Sequence, residues 1–274
     1  MEFARIVRRM NYFLRFLRNI FILFINRELI KDIYAVENKS ILRIFFMTKL
    51  VYEAMAFSIY IKNDDTQSYS SDYQDQFVLY NMHAMGLEVS DGFYIDIGAF
   101  DGHHKSNSKK LELAGMAGIL IEPNSKVFDL LTNNRQAISE NVGLIPRYNQ
   151  NDKYHLMLSG EKGITSYLKM QSNLDIEFLH VETKVLSVEN FLSKYNTLLL
   201  DYKYIYLSID VEGLDFDLLQ VFFELGFFPT IVSIEHNHDK NTIIKIKKLA
   251  NQYKYLIQFP GFFRNDYILV RNFY

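Results

Sequence analysis

The chain has 274 residues, 49% of them apolar, with a formal net charge of −2 and no cysteine. That length carries a sizeable core, enough for one large α/β domain with an extension, and the apolar fraction excludes a disordered chain. The near-neutral charge gives no global pull toward nucleic acid, and the absent cysteine excludes disulfides, cysteine-ligated zinc and a thiol nucleophile.

Tryptophan is also missing, so 23 Phe and 19 Tyr carry the aromatic packing. All 12 glycines and all 4 prolines lie beyond Met85. Because these residues punctuate loops and turns, the chain divides by sequence into a helical N-terminal extension, residues 1–69, and an α/β domain, residues 70–274. Helices are expected over 1–62.

In the first stretch, Phe3, Ile6, Val7, Met10, Phe13, Leu14, Leu17, Ile20, Phe21 and Phe24 recur on one helical face. Residues 1–31 carry seven basic and two acidic side chains, a local charge of +5. Arg15 and Arg18 interrupt the apolar run, which falls short of the roughly 18 residues a spanning helix needs. No small-residue cleavage site follows, so a signal peptide fits poorly. Two readings stand: an interfacial helix making peripheral contact with an anionic membrane surface, and a helix packed on the main domain or on a second subunit. Residues 41–61 are also apolar, but Arg43, Lys49 and Glu53 break them up, as in a buried helix.

The segment "GFYIDIGAFDGHHKSNS", residues 92–108, carries the first chemical signal. "FYID" predicts a buried strand ending at Asp96, and "SNSKKLELAG" a helix capped by Ser106 or Ser108. "AGILIE" predicts a second strand ending at Glu122, and "NSKVFDLLTNN" a second helix. Alternating strands and helices predict a parallel, doubly wound sheet, which binds ligands at the carboxyl ends of its strands. Asp96, Gly98, Gly102 and Glu122 all fall at such ends.

Gly98 and Gly102 follow a G-x-x-x-G spacing rather than the G-x-G-x-x-G of a dinucleotide fold. An acidic Asp96 beside that turn repels phosphate and attracts an ammonium or a sulfonium, and S-adenosylmethionine carries both. Glu122, 26 residues after Asp96, is placed to accept hydrogen bonds from ribose hydroxyls.

Further motifs follow in order: "QDQF" at 74–77, "YIDIGAFDG" with "SNS" and "LE", "GILIEPN" at 118–124, "YLSIDVEGLDFDLLQ" at 206–220 and "VSIEHN" at 232–237. Together they resemble the FkbM-type methyltransferases over about residues 70–240. The resemblance implies a class I methyltransferase (Rossmann-like) fold: an α/β, mostly parallel seven-stranded sheet with helices on both faces. It also implies S-adenosyl-L-methionine as cofactor, contacted by Asp96, Gly98, Asp101, Gly102 and Glu122. Asp210 and Glu212 then lie at the cleft facing the methyl group. The region "NNRQAISENVGLIP", where adenine contacts near 137–139 are expected, is compressed relative to the family pattern, and residues 1–62 lie outside the resemblance.

Methyl transfer to a hydroxyl needs a positioned base. Asp210, Glu212, Glu235, His236 and His238 are the candidates, with Asp210, Glu212 and His236 assigned as catalytic. Gly213 is expected to open the next helix, whose positive end tempers Glu212. In extended chain His236 and His238 share a face and, with Asp210 or Glu235, compose a divalent-metal alternative, although no metal is assigned. His103 and His104 sit in the glycine loop. Residues 146–186 read as a strand with variable loops, and 253–273 as an antiparallel hairpin about Pro260 and Gly261 that closes the sheet.

The function expected is methylation, most simply O-methylation, of a small-molecule or glycan acceptor, with polysaccharide biosynthesis or secondary metabolism as context. The location expected is cytoplasmic, with peripheral contact at the inner face of the membrane as its variant. A nicotinamide-dependent oxidoreductase on a related fold is the second reading, disfavoured by the glycine spacing. A non-enzymatic membrane-associated module is the third. The acceptor and the oligomeric state are not legible.

Overall fold

The computed structural model describes residues 67–148, 183–258 and 265–272, the positions Phe57 and Tyr60, and the backbone of three strands between 154 and 182. The helices expected over residues 1–62, the stretch 1–31 among them, and the turn at Pro260 and Gly261 lie outside the described residues. Residues 68–258 and 265–274 form one compact unit. Among the described residues no helix is long and apolar enough to cross a membrane.

In chain order the elements are α1 (Gln74–Ala84), β1 (Gly92–Ile97), α2 (Lys109–Leu113), β2 (Ala117–Ile121), α3 (Ser125–Asn134), β3 (Ile138–Glu140), β4 (Gly143–Ile145), β5 (Tyr154–Ser159), β6 (Thr165–Met170), β7 (Leu179–Glu182), β8 (Val185–Ser187), α4 (Val188–Leu200), β9 (Tyr204–Ile209), α5 (Asp215–Glu224), β10 (Ile231–Glu235), α6 (Lys240–Gln252), β11 (Tyr255–Gln258) and β12 (Asp266–Arg271).

Seven strands form the central sheet in the order β11-β12-β10-β9-β1-β2-β3. Every residue of β1 is buried, which suits a central parallel strand covered on both faces. β1 runs parallel to both neighbours, so Asp96 stands beside Leu120 of β2 and Ser208 of β9. Only β12 runs against the rest, antiparallel to β10 and β11. The predicted closing pair therefore exists, with its second strand inserted between β10 and the first. The chain runs outward through β1, β2 and β3, then returns to β9 on the other side of β1. With right-handed crossovers that reversal puts connecting helices on both faces and opens a crevice at the carboxyl ends of β1 and β9.

Alternation along β1 sorts its side chains. Phe93, Ile95 and Ile97 join Phe191 of α4, Leu218 and Phe222 of α5 and Ile246 of α6 in one buried cluster. Each such side chain contributes about 1.5–3 kcal/mol by leaving water. Tyr94 and Asp96 point to the other face, where the Tyr94 hydroxyl donates to Glu112 of α2 at 2.6 Å.

The "QDQF" element has a local reason. Asp75, fully buried, accepts from the Ser68 and Ser70 hydroxyls and the Tyr69 amide, tying residues 68–70 to the start of α1. In the stretch expected to be a strand with loops, β5, β6 and β7 form a small antiparallel sheet, while β4 and β8 pair in parallel.

Candidate active site

The glycine turn is forced by a close backbone approach. Gly98 has φ +85°, and a Cβ there would stand 1.8 Å from the Asp210 carbonyl oxygen. The Gly98 and Ala99 amides donate to the Ile121 carbonyl, and the Asp210 amide donates to the Ile97 carbonyl. Three strand ends are thereby stitched together, bringing Asp96, Glu122 and Asp210 to one crevice.

Both oxygens of Glu122 already accept a backbone N–H, from Phe100 at 3.1 Å and from Asn124 at 2.8 Å. A carboxylate offers about four acceptor sites, so two remain for hydroxyls of a ligand. Asp96 is 4% exposed and accepts from the Ser108 hydroxyl at 2.5 Å. Ser108 precedes α2, as the capping expectation required, but its hydroxyl serves Asp96. Ser106 does the capping instead, accepting from the Lys109 amide at 3.1 Å.

These residues line a cavity of about 420 Å³, within the range of small-molecule sites. Asp96, Gly98, Glu122, Asp210, Glu212 and Glu235 all face it. Asp101 and Gly102 do not, and instead shape the turn behind it. Asp101 accepts from the His103 and His104 amides and pairs with His104 Nδ1 at 2.5 Å, and the Gly102 carbonyl accepts from Arg135. His104 reaches the lining and His103 does not. From the third-strand region Gly143 and Leu144 line the cavity, rather than the expected residues 137–139.

Two local expectations are corrected. His236 and His238 do not share an extended face, because Asn237 (φ 45°) and His238 (φ 56°) turn the chain. His236 is 5% exposed, lies 4.6 Å from the Tyr267 ring and does not line the cavity. Its Nδ1 accepts from the His238 amide at 3.1 Å. Among the described residues, the acids close enough to share an ion are Asp210, Glu212 and Glu235, with ligand atoms within 4.8 Å, and neither histidine joins them. Gly213 does not open a helix either. α5 starts at Asp215, whose carboxylate accepts from the Val211 and Gly213 amides, and Glu212 stands in the turn at φ 56°.

Sequence reasoning gave Gln74 no role in the site and missed Asp266. Gln74, 2% exposed, donates to Asp266 at 2.5 Å, and both line the cavity. The signal for Gln74 was its motif. Nothing in the alternating pattern of β12 marked Asp266.

So many enclosed acids shift one another. Burial pushes Glu122 up to about 7 against the pull of the Asn124 and Phe100 amides. Glu235 also reaches about 7, through burial and then the charge of Glu212. Asp266 is raised to about 6 by burial, and Asp210 well above the ordinary range by burial and by Glu235. The folded chain therefore holds protons near neutrality that the unfolded chain has released, so stability increases as the pH falls toward 7. His236, depressed to about 4 by burial, has the opposite sign and withdraws stability below about 6.5. Differential scanning calorimetry of the ligand-free protein should give a higher Tm at pH 6.5 than at pH 8, by roughly 1–2 kcal/mol in stability. A Tm that falls over that interval would contradict the enclosed-acid picture.

No curated protein matches the chain. A family description, the methyltransferase FkbM domain, matches residues 96–260, more than half of the chain. Asp96, Glu122, Asp210 and Glu235 all lie inside the match. This protein belongs to the FkbM methyltransferase family.

Proposed function

We propose that this methyltransferase transfers the methyl group of S-adenosylmethionine to a hydroxyl of a glycan or secondary metabolite. The observation that carries the reading is the convergence of Asp96, Glu122 and Asp210 on one cavity. The donor set fits the cofactor: acids suit a sulfonium and an ammonium, and the free acceptor sites of Glu122 suit two ribose hydroxyls. When bound, S-adenosylmethionine supplies an activated methyl group.

The rest falls to the chain. Glu122 would hold the ribose, and Asp96 the ammonium, beside backbone that Gly98 allows to come close. The summed negative charge of the cleft favours entry of a cationic cofactor. Asp210 follows β9, and burial with the charge of Glu235 raises the proton affinity of its carboxyl, which suits a group that would take a proton from a hydroxyl. Glu212, an exposed residue of the cavity lining, would orient the acceptor. The polar acceptor end, with Glu235, Asn237 and Asp266, supports a hydroxyl-rich partner.

Titration calorimetry with S-adenosylmethionine and, in parallel, NAD tests the cofactor. Binding of the first and not the second is expected, and Glu122→Ala should weaken it by roughly 30-fold or more through two lost hydrogen bonds to a buried charge. Unchanged affinity in that variant removes the ribose assignment, and preferential NAD binding removes the cofactor.

A further inference from the structure

Arg135 follows the last residue of α3, and its side chain is wholly buried. An arginine under a ligand-binding turn needs a reason, because a buried cation is costly unless every donor is satisfied. All five of its N–H groups are used. Nε donates to Glu112 at 2.6 Å, one terminal nitrogen to the Gly102 carbonyl at 3.2 Å and Ser106 Oγ at 3.1 Å, and the other to the Tyr94 hydroxyl and Ser108 Oγ, both at 3.0 Å. Its aliphatic stem also explains Gly102, where a Cβ would meet Arg135 Cγ at 2.6 Å.

One of these bonds leads into the cavity. Ser108 accepts from the guanidinium and donates its hydroxyl hydrogen bond to Asp96. A positive charge thus stands one hydroxyl away from the acid that faces the cofactor. We propose that Arg135 is a positioning residue of the cofactor site: through Ser108 it fixes the Asp96 carboxylate, and through the Gly102 carbonyl it fixes the turn, so that this end of the cleft receives an ammonium. The proposal rests on the reading that Asp96 takes the ammonium of S-adenosylmethionine.

The charges around Asp96 agree. Burial raises its carboxyl, while Ser108, then Arg135 and Ser208, pull it back. The other titratable groups that feel its charge, Glu122 from β2 and Tyr206 from β9, are both raised and supply no cation. Among the described groups around Asp96, Arg135 is the cation that opposes the effect of burial, acting with the Ser108 hydroxyl it holds.

The test is calorimetric titration of the full chain with S-adenosylhomocysteine, which keeps the nucleoside and ammonium and lacks the sulfonium, between pH 6 and pH 9. The variants are Ser108→Ala, Arg135→Lys and the double variant Arg135→Met with Glu112→Gln, which leaves no orphan charge. Relative to wild type, Ser108→Ala and the double variant should bind about tenfold more weakly at pH 7, more weakly still at pH 6, and recover toward pH 9. Arg135→Lys, which retains the charge, should restore the wild-type pH profile even where its affinity is lower. A wild-type profile in Ser108→Ala, whether or not the double variant folds, overturns the proposal, as does a loss equal at every pH. A wild type that binds no S-adenosylhomocysteine ends the cofactor reading and this proposal with it, whereas binding with unaltered profiles ends only this proposal.

Discussion

Asp210→Asn is expected to lower methyl transfer by roughly 10²–10⁴ while leaving S-adenosylhomocysteine affinity within about threefold. The substitution keeps shape and removes the acceptor for a proton. No described side chain donates to Asp210, and burial with its acidic neighbours raises its proton affinity. Glu235 shares the effect, pushed up to about 7, so the two acids release their protons as a pair. Transfer should therefore climb with pH as that pair ionises, and the climb should be lost with the asparagine. The assay is incorporation of labelled methyl from S-adenosylmethionine into glycan and metabolite fractions of the source cells. Glu212→Gln, at an exposed position, should cost less than Asp210→Asn and act mainly on KM. Wild-type rates in Asp210→Asn would remove the base from this position.

The central sheet was readable because its strands are short apolar runs ending in chemistry: "FYID" at Asp96, "GILIE" at Glu122, "YLSID" at Asp210. A strand buried on both faces has to be written that way. What escaped were contacts made between elements distant in sequence. Arg135 lies in a stretch that looked compressed, yet its partners Tyr94, Gly102, Ser106, Ser108 and Glu112 come from β1, the turn and α2. Ser108 looked like a cap because caps and ligand-side hydroxyls use the same residue type. The histidines failed for a different reason: an asparagine in left-handed conformation between them bends the chain, and a two-residue spacing carries no sign of that. The start of α5 was misplaced because Asp215, rather than Gly213, organises the turn by accepting two amides.

Among the described glycines, Gly98→Ala should be the most damaging added methyl. At φ +85° an alanine pays about 1 kcal/mol for the left-handed backbone alone. The larger cost is contact. The added carbon would lie 1.8 Å from the Asp210 carbonyl oxygen, and since that obstacle is backbone, one strand end must move by more than 1 Å to relieve it. Such a shift strains the Gly98–Ile121 and Asp210–Ile97 hydrogen bonds that hold β1, β2 and β9 in register at the cleft. Two weakened bonds and the repacking around them bring the total to about 3–5 kcal/mol, a large share of the 5–15 kcal/mol that holds a domain folded. A Tm drop of about 10 °C follows for a domain of this size, with loss of measurable S-adenosylmethionine binding because Asp96 and Asp210 no longer face the same space. Gly115→Ala is the control. It has φ +97° but nothing within 4 Å of the new carbon, so it pays the backbone cost only and should melt about 2–4 °C low with binding intact. If the two variants melted alike, positive φ would account for both glycines, and the close approach of Asp210 would not be what demands a glycine at position 98.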